Sequence, residues 1–221
     1  MKKFCFSLMG LPTLFFFAIQ IVSAAESPRQ PTVVLISGEY EYKSAETLPV
    51  FKQYLETNYG FNCIYLERAK GEDIPGLDAF AKADLVILFV RRMTLPAEQL
   101  ARIKNYVESG KPLIGLRTAS HAFENWKEFD HEVLGGNYHN HHSDKLVATV
   151  RIVPEATEHP ILKGVEREFV AGGSLYLNTP LPPSSTVLLH FENPAFRRLL
   201  VNAIFWALNR SVPEIIEKKS N

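Results

Sequence analysis

The chain has 221 residues, with 24 Lys and Arg set against 24 Asp and Glu, and 46% of its residues are apolar. That length suits one domain with a real core, and a formal net charge of zero leaves no single-sign field to recruit nucleic acid or an anionic surface. No basic stripe, internal repeat or low-complexity tract interrupts it.

Lys2 and Lys3 precede a largely apolar stretch, Phe4–Val22, and the small residues Ser23, Ala24 and Ala25 follow before Glu26. This is the layout of a secretory signal peptide cleaved after Ala24 or Ala25, which predicts a secreted or periplasmic protein with no stable membrane insertion after cleavage. The alternative is an uncleaved signal that stays as a membrane anchor, since the apolar length nearly permits a span. The organisation expected is a signal at 1–25, a linker at 26–31, one domain at 32–210 and a polar tail at 211–221. Cys5 leaves with the signal, so Cys63 stands alone and can form neither an internal disulfide nor a thiolate zinc site.

Thr32–Ile36 (TVVLI) is a short continuous apolar run, as in a strand buried on both faces. Ser44–Tyr59 places Leu48, Phe51 and Leu55 at helical spacing, with Ser44 as candidate N-cap and Gly60 as stop. Phe61–Leu66 and Asp84–Val90 read as strands on either side of a polar loop around Gly71–Gly76. Thr94-Leu95-Pro96 opens a helix carrying Leu100, Ile103 and Val107, closed by Gly110, and Pro112–Leu116 is a fourth strand. Strands alternating with helices predict an α/β, flavodoxin-like single domain with a mainly parallel sheet and helices on both faces. Later, Leu146–Val153 reads as a strand. Pro194–Leu208 reads as an amphipathic helix packing Phe196, Leu199, Leu200, Ile204 and Trp206.

In such a sheet, ligands bind at the carboxyl ends of the strands. Three polar segments fall there: Ser37–Ser44 (SGEYEYKS), Arg91-Arg92, and the turn around Arg117–Phe123 (RTASHAF). Glu39, Tyr42 and Arg91 are candidate substrate-binding groups. Arg117 suits an anionic or polyhydroxyl ligand, or pairs with a carboxylate such as Glu39, and His121 suits proton transfer near neutral pH. The turn occupies a nucleophile-elbow position but holds no Cys, which argues against cysteine-based acyl transfer. Ser120 lies beside His121, yet adjacent residues rarely aim at each other and no G-x-S-x-G is present, so Ser120 is taken as a binding residue.

The segment GGNYHNHHSD, Gly135–Asp144, packs three of the seven histidines into four positions. In an extended run His139 and His141 share a face. They could transfer protons or, with His121 or Asp130, ligate zinc or another divalent ion, although no H-E-x-x-H spacing supports the metal.

The stretches SGEYEYKSAETLPVF, ESGKPLIGLRTASHAF, FDHEVLGGNYHNHH, EHPILKG and NPAFRRLLVNAIFWALNR together resemble the ThuA-like (trehalose utilisation) family, whose fold is similar to class I glutamine amidotransferases. The resemblance implies a lost amidotransferase nucleophile and a carbohydrate-active role, on a keto-sugar or glycoside. Members commonly carry His where Arg117 stands and Asp where His121 stands. They also carry a segment before the last helix that is missing here near residues 189–191, where His190-Phe191 would be its remnant. The expectation is therefore an exported carbohydrate-active enzyme with His121, His139 and Arg117 as catalytic residues and Glu39, Tyr42, Arg91, Ser120 and His141 binding substrate. The alternatives are a non-catalytic sugar- or partner-binding member, degenerate through that loss, and a metal-dependent hydrolase using His139 and His141. Oligomer formation is left open.

Overall fold

The structure, a computed structural model, describes residues 29–142, 147–188 and 195–214, apart from the side chains of 195–197. The expected signal and the expected gap at 189–191, with His190, lie outside these residues. Four strands, β1 (Thr32–Gly38), β2 (Asn62–Glu67), β3 (Leu85–Val90) and β4 (Leu113–Gly115), form a sheet in the order β2-β1-β3-β4. Every pairing is parallel, and the order is the start of the flavodoxin-like 2-1-3-4-5 arrangement.

The pleat sends alternate residues to opposite layers, and both layers are apolar. Val33 and Leu35 of β1, with Leu85 and Ile87 of β3, face Leu48 and Leu55 of α1 (Ser44–Tyr59) and Leu200, Val201 and Ile204 of α3 (Ala195–Ala207). Val34, Ile36, Val86, Leu88 and Val90 face Leu100, Ile103 and Tyr106 of α2 (Ala97–Glu108). The continuous apolar runs are therefore central strands covered on both sides, each fully buried side chain adding roughly 1.5–3 kcal/mol. Tyr106 takes the core place expected of Val107, because its hydroxyl can reach past the core and donate to the Pro112 carbonyl at 2.8 Å.

Two features differ from the sequence reading. Ser44 is the first helical residue of α1 and Lys43 is the cap. The Ser44 hydroxyl instead bonds that of Ser37 at 2.6 Å inside the core. In α3, Leu199, Leu200 and Ile204 are buried as expected, but Trp206 is 51% exposed. The helical stripe Leu199–Ala203–Trp206 runs past the end of the small core formed with Ile161, Leu162 and Val165, and the indole lies against His159, with ring centroids 5.4 Å apart.

The remaining chain adds two antiparallel pairs. β6 (Val147–Arg151) pairs with β7 (Glu168–Gly172), and β5 (Asn140–His141) pairs with β8 (Tyr176–Leu177). The predicted strand at 146–153 thus exists, but in a separate ribbon. The EHPILKG turn docks on α3 through the buried amide of Asn202, which donates to the carbonyls of Ile161 at 2.9 Å and Lys163 at 2.8 Å. Among the described residues no helix is long and apolar enough to cross a membrane.

Candidate functional site

The loop after β1 is built around Glu39, which is only 4% exposed. Its carboxylate accepts the backbone N–H groups of Glu41, Tyr42 and Ser44 at 2.5, 2.6 and 2.7 Å. Three charge-assisted bonds fold the turn and hold its anion at the start of α1, where the helix dipole favours it. Glu39 therefore shapes the site rather than presenting a free carboxylate to a ligand. The same turn stacks Tyr42 on Phe89 of β3, with ring centroids 6.2 Å apart.

At the end of β4 the chain makes a tight turn in which Arg117 takes φ 44°, a left-handed conformation costly for a residue with a side chain. Arg92, just after β3, and Lys43, before α1, have φ 47° and 58°. Three of the four described non-glycine residues with positive φ thus lie at this one sheet edge. Arg117 is sandwiched between Tyr42 and Tyr176, its guanidinium 4.2 and 5.2 Å from their ring centroids. It donates to the Tyr42 hydroxyl at 3.2 Å and to Ser174 Oγ at 2.8 Å. The alternative of a structural pair with Glu39 does not arise, since that carboxylate is bonded to backbone.

Ser120 and His121 do meet, contrary to the sequence expectation: Ser120 Oγ lies 3.0 Å from His121 Nδ1. Both residues lie in a 3-10 turn over Arg117–His121. Which atom donates depends on the tautomer, but Nδ1 is engaged either way, and Nε2 is the ring nitrogen left for a ligand. Burial, and then the charges of Arg91 and Arg92, hold the imidazole at about 4, so it is neutral at physiological pH.

The GGNYHNHH loop folds over this turn. Gly135 ends a π turn at φ 66°, and Gly136 lies so close to Asp130 that any side chain there would run into the carboxylate. The Asp130 carboxylate accepts the Tyr138 N–H at 2.7 Å, which fixes the loop. Tyr138 then stacks on His121 with centroids 4.7 Å apart and meets Tyr176 at 4.5 Å. The β5–β8 pairing sets His141 opposite Tyr176, with the rings 6.4 Å apart. His139 is exposed, and its Nδ1 lies 2.9 Å from the Asn137 carbonyl oxygen.

The edge thus brings together Tyr42, Arg91, Arg117, Ser120, His121 and His141, with Arg91 paired to Glu41 at 2.9 Å. Glu39 frames the site from beneath, and His139 makes no ring contact with it among the described residues. Sequence reasoning missed Tyr138, Tyr176 and Ser174. The signal was present: GGNY and GGSLY each set a tyrosine just behind paired glycines, as in loops that approach a site closely. For a divalent metal, the described residues bring no three His, Cys, Asp or Glu side chains together. Asp130 is committed to the loop, where its carboxylate holds the Tyr138 N–H. Cys63 is buried in β2, and burial pushes its thiol up to about 12. An open cleft of about 750 Å³ lies elsewhere, between His159, Lys163, Trp206 and Arg210, and carries none of these groups.

The family model for ThuA, described as trehalose utilisation, matches residues 32–192. Among solved structures, the chain is similar to a ThuA-like protein from Bacteroides uniformis ATCC 8492, at 18% identity and a TM-score of 0.61, over 90% of this chain and 95% of that one. It is also similar to a ThuA-like protein from Parabacteroides merdae ATCC 43184, at 15% identity and a TM-score of 0.62, over 86% and 94% of the two chains. At such identities the likeness speaks for the fold. Comparison with curated proteins returns no match. With a parallel α/β sheet, an elbow turn without a cysteine and a family match over most of its length, the chain belongs to the ThuA family.

Proposed function

We propose that the chain is exported and acts on a carbohydrate, a keto-sugar or glycoside, at the carboxyl edge of its parallel sheet. The observation that carries this reading is the neutral His121 imidazole, held by Ser120 at Nδ1, stacked on Tyr138 and set beside the Tyr42–Arg117–Tyr176 sandwich. Tyrosine faces suit the C–H faces of a sugar ring, and the surrounding hydroxyl and guanidinium donors suit its oxygens. Beside a sugar carbonyl, His121 Nε2 takes the proton from the neighbouring carbon. The electron pair then moves to the carbonyl oxygen, whose growing negative charge faces Arg117. The acid–base role goes to His121 in this reading, and the exposed His139 is dispensable.

The test is turnover of oxidised disaccharides by the wild type, Arg117→Ala, His121→Ala and His139→Ala. Turnover lost in the first two variants and kept in the third fits; unchanged turnover in both Arg117→Ala and His121→Ala sinks the assignment. The weak basicity of His121 favours a second reading, a sugar-binding member without catalysis. Calorimetric sugar binding without turnover would establish that one instead.

A further inference from the structure

The chain is neutral overall, and its site edge carries charges of both signs. Arg91, Arg92 and Arg117 stand around the His121 turn, with Glu39, Glu41 and Asp130 the carboxylates of the loops described above. Glu39 is buried and directed at three backbone N–H groups. Glu41 pairs with Arg91, but its side chain is 46% exposed, and such a pair is well screened by water.

Arg91 is also incompletely satisfied. Its Nη2 meets Glu41, while its Nε is buried with no hydrogen-bond partner among the described residues. A buried donor left unmade is unfavourable, and the exposed Glu41 pair leaves room for a ligand's carboxylate or phosphate to compete for the outer nitrogens of the guanidinium. Arg92 beside it is fixed by its backbone: its N–H donates to the His121 carbonyl at 2.8 Å, and the next residue, Met93, donates to that of Ala122 at 2.8 Å. The strained φ of Arg92 is thus maintained by direct attachment to the His121 turn. Both arginine charges reach His121, where they oppose a proton.

We infer that the saccharide carries an anionic group, a carboxylate or a phosphate, and that Arg91 and Arg92 receive it. This rests on the carbohydrate reading above and narrows its substrate class. The substrate anion then offsets the Arg91 and Arg92 charges, which add to burial in opposing a proton on His121.

The experiment is calorimetric titration of the full chain, at low salt and neutral pH, with D-glucuronate, D-glucose 6-phosphate, D-glucose and inorganic phosphate. The inference expects glucuronate or glucose 6-phosphate to bind about tenfold or more tighter than glucose, and the better of the two identifies the anion. The double variant R91Q/R92Q should erase that preference, and Lys82→Gln, which removes an exposed charge elsewhere, should keep both it and glucose binding. Circular dichroism confirms that the variants fold. Glucose binding as tightly as both acidic sugars overturns the inference and leaves the carbohydrate reading standing. Inorganic phosphate binding as well as glucose 6-phosphate, or no sugar binding at all, overturns both.

Discussion

His121 makes the site visible in the stability of the whole protein. Its folded imidazole titrates at about 4 against an ordinary 6.5. Between those values the unfolded chain holds a proton that the folded chain rejects, so stability falls as pH falls through this window and is fully present above it. From pH 7.5 to pH 4.5 the linkage amounts to about 2.5 kcal/mol at most, and partial exposure of the ring reduces it to about 1 kcal/mol. Other groups titrate over the same range, so the readout is a difference between two proteins. Urea unfolding followed by circular dichroism at both pH values should show the wild type losing about 1 kcal/mol more than His121→Gln, which cannot titrate. Equal losses in the two proteins would mean that His121 is not held neutral by its surroundings, and the proton-transfer reading would lose its basis.

Other consequences follow from single contacts. Glu39→Ala leaves three backbone N–H groups without their acceptor and should lower stability by about 2–4 kcal/mol in urea titration, far more than a surface carboxylate would. Asn202→Ala removes the amide that ties α3 to the Ile161 and Lys163 carbonyls; a loss of about 2 kcal/mol is expected in the same assay. Cys63, buried with its thiol raised to about 12, should stay unmodified by iodoacetamide at pH 7.5 in the native protein and react in urea, as followed by mass spectrometry.

The sheet was legible in the sequence because its strands are covered on both faces. TVVLI and DLVILFV are continuous apolar runs whose length and spacing leave little choice of element. The carboxyl-edge rule then placed Tyr42, Arg91, Arg117 and His121 together correctly. What could not be read was set by bonds that cross long stretches of chain. Tyr176 reaches the site through β8 pairing with β5, and Tyr138 through the Asp130 anchor, contacts that no local pattern encodes. Glu39 looked like a ligand-binding carboxylate because its three backbone partners are chemically silent in a sequence. His139 and His141 looked like a working pair by their spacing, yet the strand covers only Asn140–His141 and brings only the second histidine to the aromatic cluster.

The central claim is that a carbohydrate binds at the carboxyl edge of the parallel sheet. The most direct test is to map amide chemical-shift changes in the labelled chain as glucuronate is added. The account predicts changes grouped in residues 39–42, 91–93, 117–123, 137–142 and 174–177. Changes centred instead on the His159–Trp206 cleft, or none at saturating sugar, would contradict it.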